Sequence, residues 1–211
     1  MKYFKQALSK LNPWITPALL EDAIKTFESH MSSASLMQIN EEKYRCIRDG
    51  IPVKVKKPNG QIEEKKAIVI DFTNPENNDF LAIKEMKIHG DLYRRRTDIV
   101  GFVNGIPLLF IELKKNSVDV QNAYTDNYTD YLDTIPHLFY YNAFLMLSNG
   151  TEAKVGTWAA NMNSSMSGKD YLSRKKVMLH LKRCLEVYAK RITSLICWKI
   201  SYYLTIQMEK Q

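Results

Sequence analysis

Apolar residues early in the chain recur three and four positions apart, which is the spacing of one buried helix face. Leu19, Leu20, Ala23, Ile24 and Phe27 follow Thr16-Pro17, an N-cap hydroxyl and a proline at the first helical position. This predicts a helix over residues 16–29. Leu36, Ile39, Tyr44 and Ile47 predict a second over residues 35–49, closed by Asp49-Gly50. No helix is assigned before Thr16. The period then shortens to two. Residues 51–56 and 62–70 flank Lys57-Pro58-Asn59-Gly60 and read as a hairpin.

A polar loop over residues 73–79 leads to a predicted strand over 80–88, and Tyr93-Arg94-Arg95-Arg96 reads as a basic turn. Two strands follow, 98–103 and 106–114, joined by Asn104-Gly105, a dipeptide that readily takes the positive φ of a tight turn. Both strands are apolar on both faces, as expected at the covered centre of a sheet. A helix over 117–133 is stopped by Thr134-Ile135-Pro136, and strands over 139–147 and 153–158 complete the pattern. The fold class is α/β, with an α+β-like mixed sheet over residues 51–158 flanked by helices.

The central hairpin carries charges where its pattern calls for apolar residues. Glu112 and Lys114 are two apart on one strand and so share a face, and Asp98 begins the neighbouring strand. Burying such charges costs several kcal/mol each unless they pair or bind metal. Two carboxylates on adjacent strands suit Mg²⁺, with Asp98, Glu112 and the Leu113 carbonyl as ligands. Lys114 would then position a water or face developing negative charge, and the trio would hydrolyse a phosphodiester. The alternatives are a solvated sheet edge or a simple ion pair.

Register decides between these readings. A strict two-residue loop at Asn104-Gly105 sets Asp98 opposite Ile111 and turns Glu112 to the other face. A loop of odd length or a β-bulge is therefore expected. It would gather Asp98, Val100, Phe102, Leu108, Phe110, Glu112 and Lys114 on one side.

Composition changes this picture only locally. The 211 residues carry a formal net charge of +7, which invites a nucleic-acid partner. Residues 171–211 hold nine Lys/Arg against Glu186 and Glu209, whereas the other 170 residues carry 21 of each sign. The excess belongs to the tail, so a DNA argument for the body rests on its local chemistry. Cys46, Cys184 and Cys197 form no CxxC pair, and the four histidines have no zinc-site spacing. The start of the chain lacks the apolar core of a secretory signal, and residues 192–206 are too short for a membrane span. A cytoplasmic protein with no membrane partner is expected.

The run Asp71-Phe72, Asn74-Pro75, Asn77-Asn78-Asp79-Phe80, Arg95-Arg96-Thr97-Asp98-Ile99-Val100, Val103-Asn104-Gly105-Ile106-Pro107-Leu108 and Ile111-Glu112-Leu113-Lys114-Lys115 resembles the N-terminal domain of type I restriction enzyme R subunits. The resemblance implies a restriction-endonuclease-like PD-(D/E)xK core within a nuclease domain over residues 1–165. It also implies Mg²⁺-dependent cleavage of double-stranded DNA and assembly with methyltransferase and specificity subunits. Thr97 stands where that superfamily has its proline. The family's Gln-x-x-x-Tyr motif aligns with Asn127 and Tyr131, which with Arg96 become candidate DNA-binding or accessory residues.

Full-length family subunits also use ATP for an attached motor, but no GxxxxGK[ST] phosphate loop occurs here. The family-like pattern fades after about Ser165. Residues 166–211 are expected to be a basic helical segment of a truncated or frameshifted product. A catalytically silent nuclease-like module that binds DNA or subunits, and a stand-alone repair or recombination nuclease, are the alternative readings.

Overall fold

In the computed structural model, residues 2–120 and 128–157 are described, together with the backbone of 166–167. Three helices open the chain: α1 (Lys2–Leu11), α2 (Pro17–Glu28) and α3 (Leu36–Asp49). Both predicted helices form with their caps. Thr16 Oγ1 accepts from the Leu19 N–H, and Ser35 and Gln38 form a reciprocal capping box that satisfies otherwise orphaned donors. α1 has no comparable start signal, and no helix was assigned to it. It is held by Phe4, Ala7 and Leu8, which reach the core.

The hairpin β1 (Ile51–Lys56) and β2 (Ile62–Ala67) is a separate two-stranded sheet. The central sheet has six strands: β3 (Phe80–Lys84), β6 (Ile99–Val103), β7 (Ile106–Leu113), β8 (Phe144–Ser148), β9 (Ala153–Gly156) and β10 (Met166–Ser167). Their spatial order is β10-β9-β8-β7-β6-β3. The β7–β8 pair is parallel and the other pairs are antiparallel, so the sheet is mixed, as expected. A parallel neighbour requires a crossover, and residues 114–143 supply it with the short helix α4 (Thr129–Thr134) and a 3-10 turn, Pro136–Phe139.

Several predicted boundaries move. The strand expected over 80–88 breaks at Glu85, which has a φ of 53°, and resumes as β4 (Lys87–His89). The expected basic turn is instead a strand, β5 (Arg94–Arg96), paired with β4 in a third small sheet. The described residues of the expected sheet region, 51–157, thus belong to three sheets rather than one. The strand expected from Phe139 starts at Phe144, because Pro136 opens the 3-10 turn and Asn142 ties this bend to β7. Helical structure expected from residue 117 begins at Val120, and residues 121–127 lie outside the described residues.

Two apolar cores cover the two faces of the central sheet. One gathers Phe4, Leu8, Leu20, Ile24, Phe27, Ile47 and Ile51 with Val103, Ile106 and Leu108. The other gathers Ile88, Val100, Phe110, Tyr131, Ile135, Phe139, Leu145 and Leu147. Leu108 belongs to the first core, not to the set that includes Asp98 and Glu112. The reason is the register described below.

Candidate active site

The site rests on the β6–β7 hairpin. Its turn has two residues, Asn104 (φ 52°) and Gly105 (φ 80°), with Val103 opposite Ile106. By itself this turn would put Glu112 on the wrong face. The register shifts between Gly101 and Phe102, so that Gly101 faces Leu109 while Phe102 faces Pro107. This bulge absorbs Leu108 as the extra residue and turns it to the opposite face. From Gly101 onward the pairs are Val100 with Phe110 and Ile99 with Ile111, which brings Asp98 beside Glu112.

The turn itself is locked by amides from the polar loop before β3. Asn104 Nδ2 donates to the Val69 carbonyl and to Asn78 Oδ1, both at 2.8 Å, while its Oδ1 accepts the Asp79 N–H at 2.8 Å. Asn78 in turn donates to the Asp71 carbonyl and accepts the Asp71 N–H. Asp71 accepts from the Thr73 and Asn74 N–H groups and the Asn77 amide, which holds its carboxyl below the usual range despite partial burial. Gly105 faces the first turn of α1, where an added Cβ would stand 2.7 Å from the Phe4 nitrogen. The Asp71-to-Phe80 segment that carries much of the resemblance is therefore the brace of the hairpin that bears the site.

Asp98 is half-buried, and its Oδ2 accepts the Leu113 N–H at 2.7 Å. Glu112 is 3% exposed. Its carboxyl also accepts the Asp98 main-chain N–H, and the Tyr131 hydroxyl reaches it. The other oxygen, Oε2, is buried with no hydrogen-bond partner among the described residues. Burial and the neighbouring Asp98 carboxylate push the Glu112 carboxyl up to about 8, against the opposing charge of Lys114. A buried carboxyl pushed up by desolvation and a neighbouring acid is a recurrent feature of functional sites.

Lys114 is half-buried just past the end of β7, where its N–H donates to the Ser148 carbonyl at 2.7 Å. Tyr131 projects from α4, stacks edge-on against Phe110 and reaches the Arg96 carbonyl at 3.0 Å. The Arg96 side chain is 63% exposed and 3.7 Å from Glu85. Asn127 lies outside the described residues. Asp98, Glu112, Lys114 and Tyr131 are thus neighbours, with Arg96 at their rim. Thr97 is fully buried, and its N–H donates to the Met86 carbonyl, a bond proline could not make.

Among the described residues no group of three His, Cys, Asp or Glu side chains could hold a metal ion. Two carboxylates and a main-chain carbonyl nonetheless fit Mg²⁺, which keeps several waters and seldom takes a full protein cage. The unpartnered Glu112 Oε2 is the observation that favours a cation here.

Arg95 was missed as a positioning residue. Its guanidinium makes a two-pronged pair with Asp130, including an Nη2–Oδ1 contact of 2.7 Å, and ties β5 to α4. Strand alternation separates it from Arg94 and Arg96, but that signal is lost when the segment is read as a turn.

A family model described as "Type I restriction enzyme R protein N terminus" matches residues 1–163. The chain belongs to this family. It is 31% identical over 165 residues to the type I restriction enzyme HindI endonuclease subunit of Haemophilus influenzae, covering 76% of this chain and 15% of that subunit. The protein of Methanocaldococcus jannaschii named for the MjaIXP endonuclease subunit is 30% identical over 159 residues, 73% of this chain and 15% of its own length. The SauCOLORF180P endonuclease subunit of Staphylococcus aureus is 25% identical over 116 residues. The chain therefore spans about 15% of the length of its first two relatives. This R-protein N-terminal domain has the mixed sheet flanked by helices that suits a restriction-endonuclease-like fold. No helix among the described residues is long and apolar enough to cross a membrane.

Proposed function

We propose that this R-protein N-terminal domain is the Mg²⁺-dependent DNA-cutting module of a type I restriction system. The observation that carries the reading is the Glu112 carboxyl, buried beside Asp98 with one oxygen unpartnered at the end of a covered hairpin. No described residue partners that oxygen, and a carboxyl buried in this way is costly to ionise without a ligand.

Asp98, Glu112 and the Leu113 carbonyl would hold the ion. When bound, Mg²⁺ neutralises charge on the scissile phosphate and makes a coordinated water more acidic. The Lys114 ammonium holds the attacking water and faces the negative charge that builds on the phosphoryl oxygens. Tyr131 fixes the Glu112 carboxyl against the sheet. Val100, Phe110 and the rest of this core wall keep bulk water from one side, which strengthens each electrostatic contact.

Double-stranded DNA is the substrate of this reading. The relatives are named as subunits of type I restriction enzymes, which supports a multi-subunit assembly; on this reading its other members are methyltransferase and specificity subunits, and it acts in the cytoplasm. ATP use belongs to the full-length subunit, and no residue of this chain is assigned to it.

Plasmid nicking with Mg²⁺ or Mn²⁺ tests the proposal, comparing the wild type with Lys114→Ala. Metal-dependent nicking by the wild type alone is expected. If neither protein nicks DNA at high concentration, the domain is a silent nuclease-like module.

A further inference from the structure

The ribbon β4–β5 runs directly into the site: the Thr97 N–H donates to the Met86 carbonyl and the Glu85 N–H to the Asp98 carbonyl. A two-stranded ribbon is marginal by itself. This one is fastened along its inner face. Ile88 is buried in the core, Arg95 opposite it is clamped by Asp130, and Gly90 packs so closely on α4 that a Cβ would stand 2.1 Å from the Thr134 carbonyl.

The outer face is different. Lys87 stands opposite Arg96 and His89 opposite Arg94, all four exposed. Like charges directly across a ladder destabilise it. Arg96 is shared with Glu85 at 3.7 Å, while neither Lys87 nor Arg94 has an acidic partner among the described residues. At the tip, Leu92 is 87% and Tyr93 51% exposed. A rigid ribbon that concentrates cations on one face, starting two residues from Asp98, is arranged for a polyanion.

We infer that the outer face of β4–β5 grips the phosphate backbone of duplex DNA through Lys87, Arg94 and Arg96, and so presents the strand to the neighbouring carboxylates. The choice of DNA as the polyanion rests on the nuclease reading of that site. A two-stranded ribbon is also of a width that a duplex groove admits. Its tip, Leu92–Tyr93, leads the approach.

The test is fluorescence anisotropy of the full chain with a labelled duplex in EDTA, where nothing is cut. The double variant Lys87→Ala/Arg94→Ala is expected to bind about tenfold more weakly at low salt, with the slope of log affinity against log salt shallower by about 2. The control Lys54→Ala/Lys56→Ala removes the same charge from β1 and is expected to bind as the wild type does. If the alanine pair unfolds, Lys87→Gln/Arg94→Gln replaces it.

Unchanged binding by the ribbon variant, or equal loss in both pairs, overturns the grip. So does a wild type that binds anionic vesicles but no duplex. Binding that depends on the ribbon without any nicking by the wild type would remove the catalytic reading and leave the grip. Nicking with no ribbon effect would do the reverse.

Discussion

The two faces of the central sheet are covered by apolar cores, yet the polar groups they bury differ in kind. Against α1, α2 and the β1–β2 hairpin the buried polar side chains include the amides of Asn12 and Asn104. Asn12 donates to the Leu8 and Ile68 carbonyls and accepts the Ile68 N–H, while Asn104 spends both donors and its acceptor on Val69, Asn78 and Asp79. Against α4 a buried group is the Glu112 carboxyl, whose Oε2 has no partner among the described residues; the buried Asn142 amide also has an unpartnered oxygen, but it cannot ionise. A neutral amide with every bond made rigidifies a fold, whereas a carboxyl left open stores a cost that only a ligand relieves. What separates site from scaffold is that the open group at Glu112 can ionise and sits beside a second acid, whereas Asn142 is a neutral amide.

The largest expected effect lies on the open face. Asp98→Asn and Lys114→Ala should each lower metal-dependent cleavage by about a thousandfold, read from single-turnover nicking, with little change in melting temperature. If either variant cuts as the wild type does, the open oxygen has another purpose.

The pH response of the metal-free protein sharpens the same contrast. Glu112 has an ordinary carboxyl value of 4.5 when unfolded and about 8 when folded, so folding takes up a proton between these limits. Its stabilising contribution is full below about 4.5 and is lost as the pH rises through about 8. Glu112→Gln should remove that slope and, at the alkaline end, stabilise the metal-free protein by on the order of 3 kcal/mol. Thermal melts across this window check it; parallel curves for the two proteins would contradict it.

On the closed face the sign reverses. Asn104→Ala orphans the Val69 carbonyl, Asn78 Oδ1 and the Asp79 N–H, and it places alanine at a φ of 52°. We expect a loss of about 2–3 kcal/mol in chemical denaturation at any pH, because no ionisable group is involved. The smallest effect is at the surface: Ser35→Ala opens the capping box of α3 and should cost about 1 kcal/mol without touching cleavage.

Local chemistry made much of this legible in advance. Thr16-Pro17 announces its helix because a cap acts within one turn of chain, whereas the second helix is legible from its apolar spacing and Asp49-Gly50. Asn104-Gly105 announces its turn because few residues accept positive φ. The trio Asp98, Glu112 and Lys114 stood out because charges interrupted an apolar hairpin, and the need for a bulge followed from the period of two.

Other features depended on partners distant in sequence. α1 exists because Phe4 and Leu8 find Phe27 and Ile47 in the core, contacts that no window around residue 5 contains. Three successive arginines look alike along the chain, and only pairing with β4 sends Arg95 inward to Asp130 while Arg94 and Arg96 face out.

The placement of the bulge was likewise a tertiary decision. The sequence by itself determined that the hairpin must slip by one residue if its two acids were to meet. Packing chose Leu108 as the extra residue, since that position lets its side chain join the α1–α2 core while Phe110 and Glu112 keep the other face. Hydrophobic period sets which side chains must share a face, but which residue is surplus depends on the shape of the core that receives it.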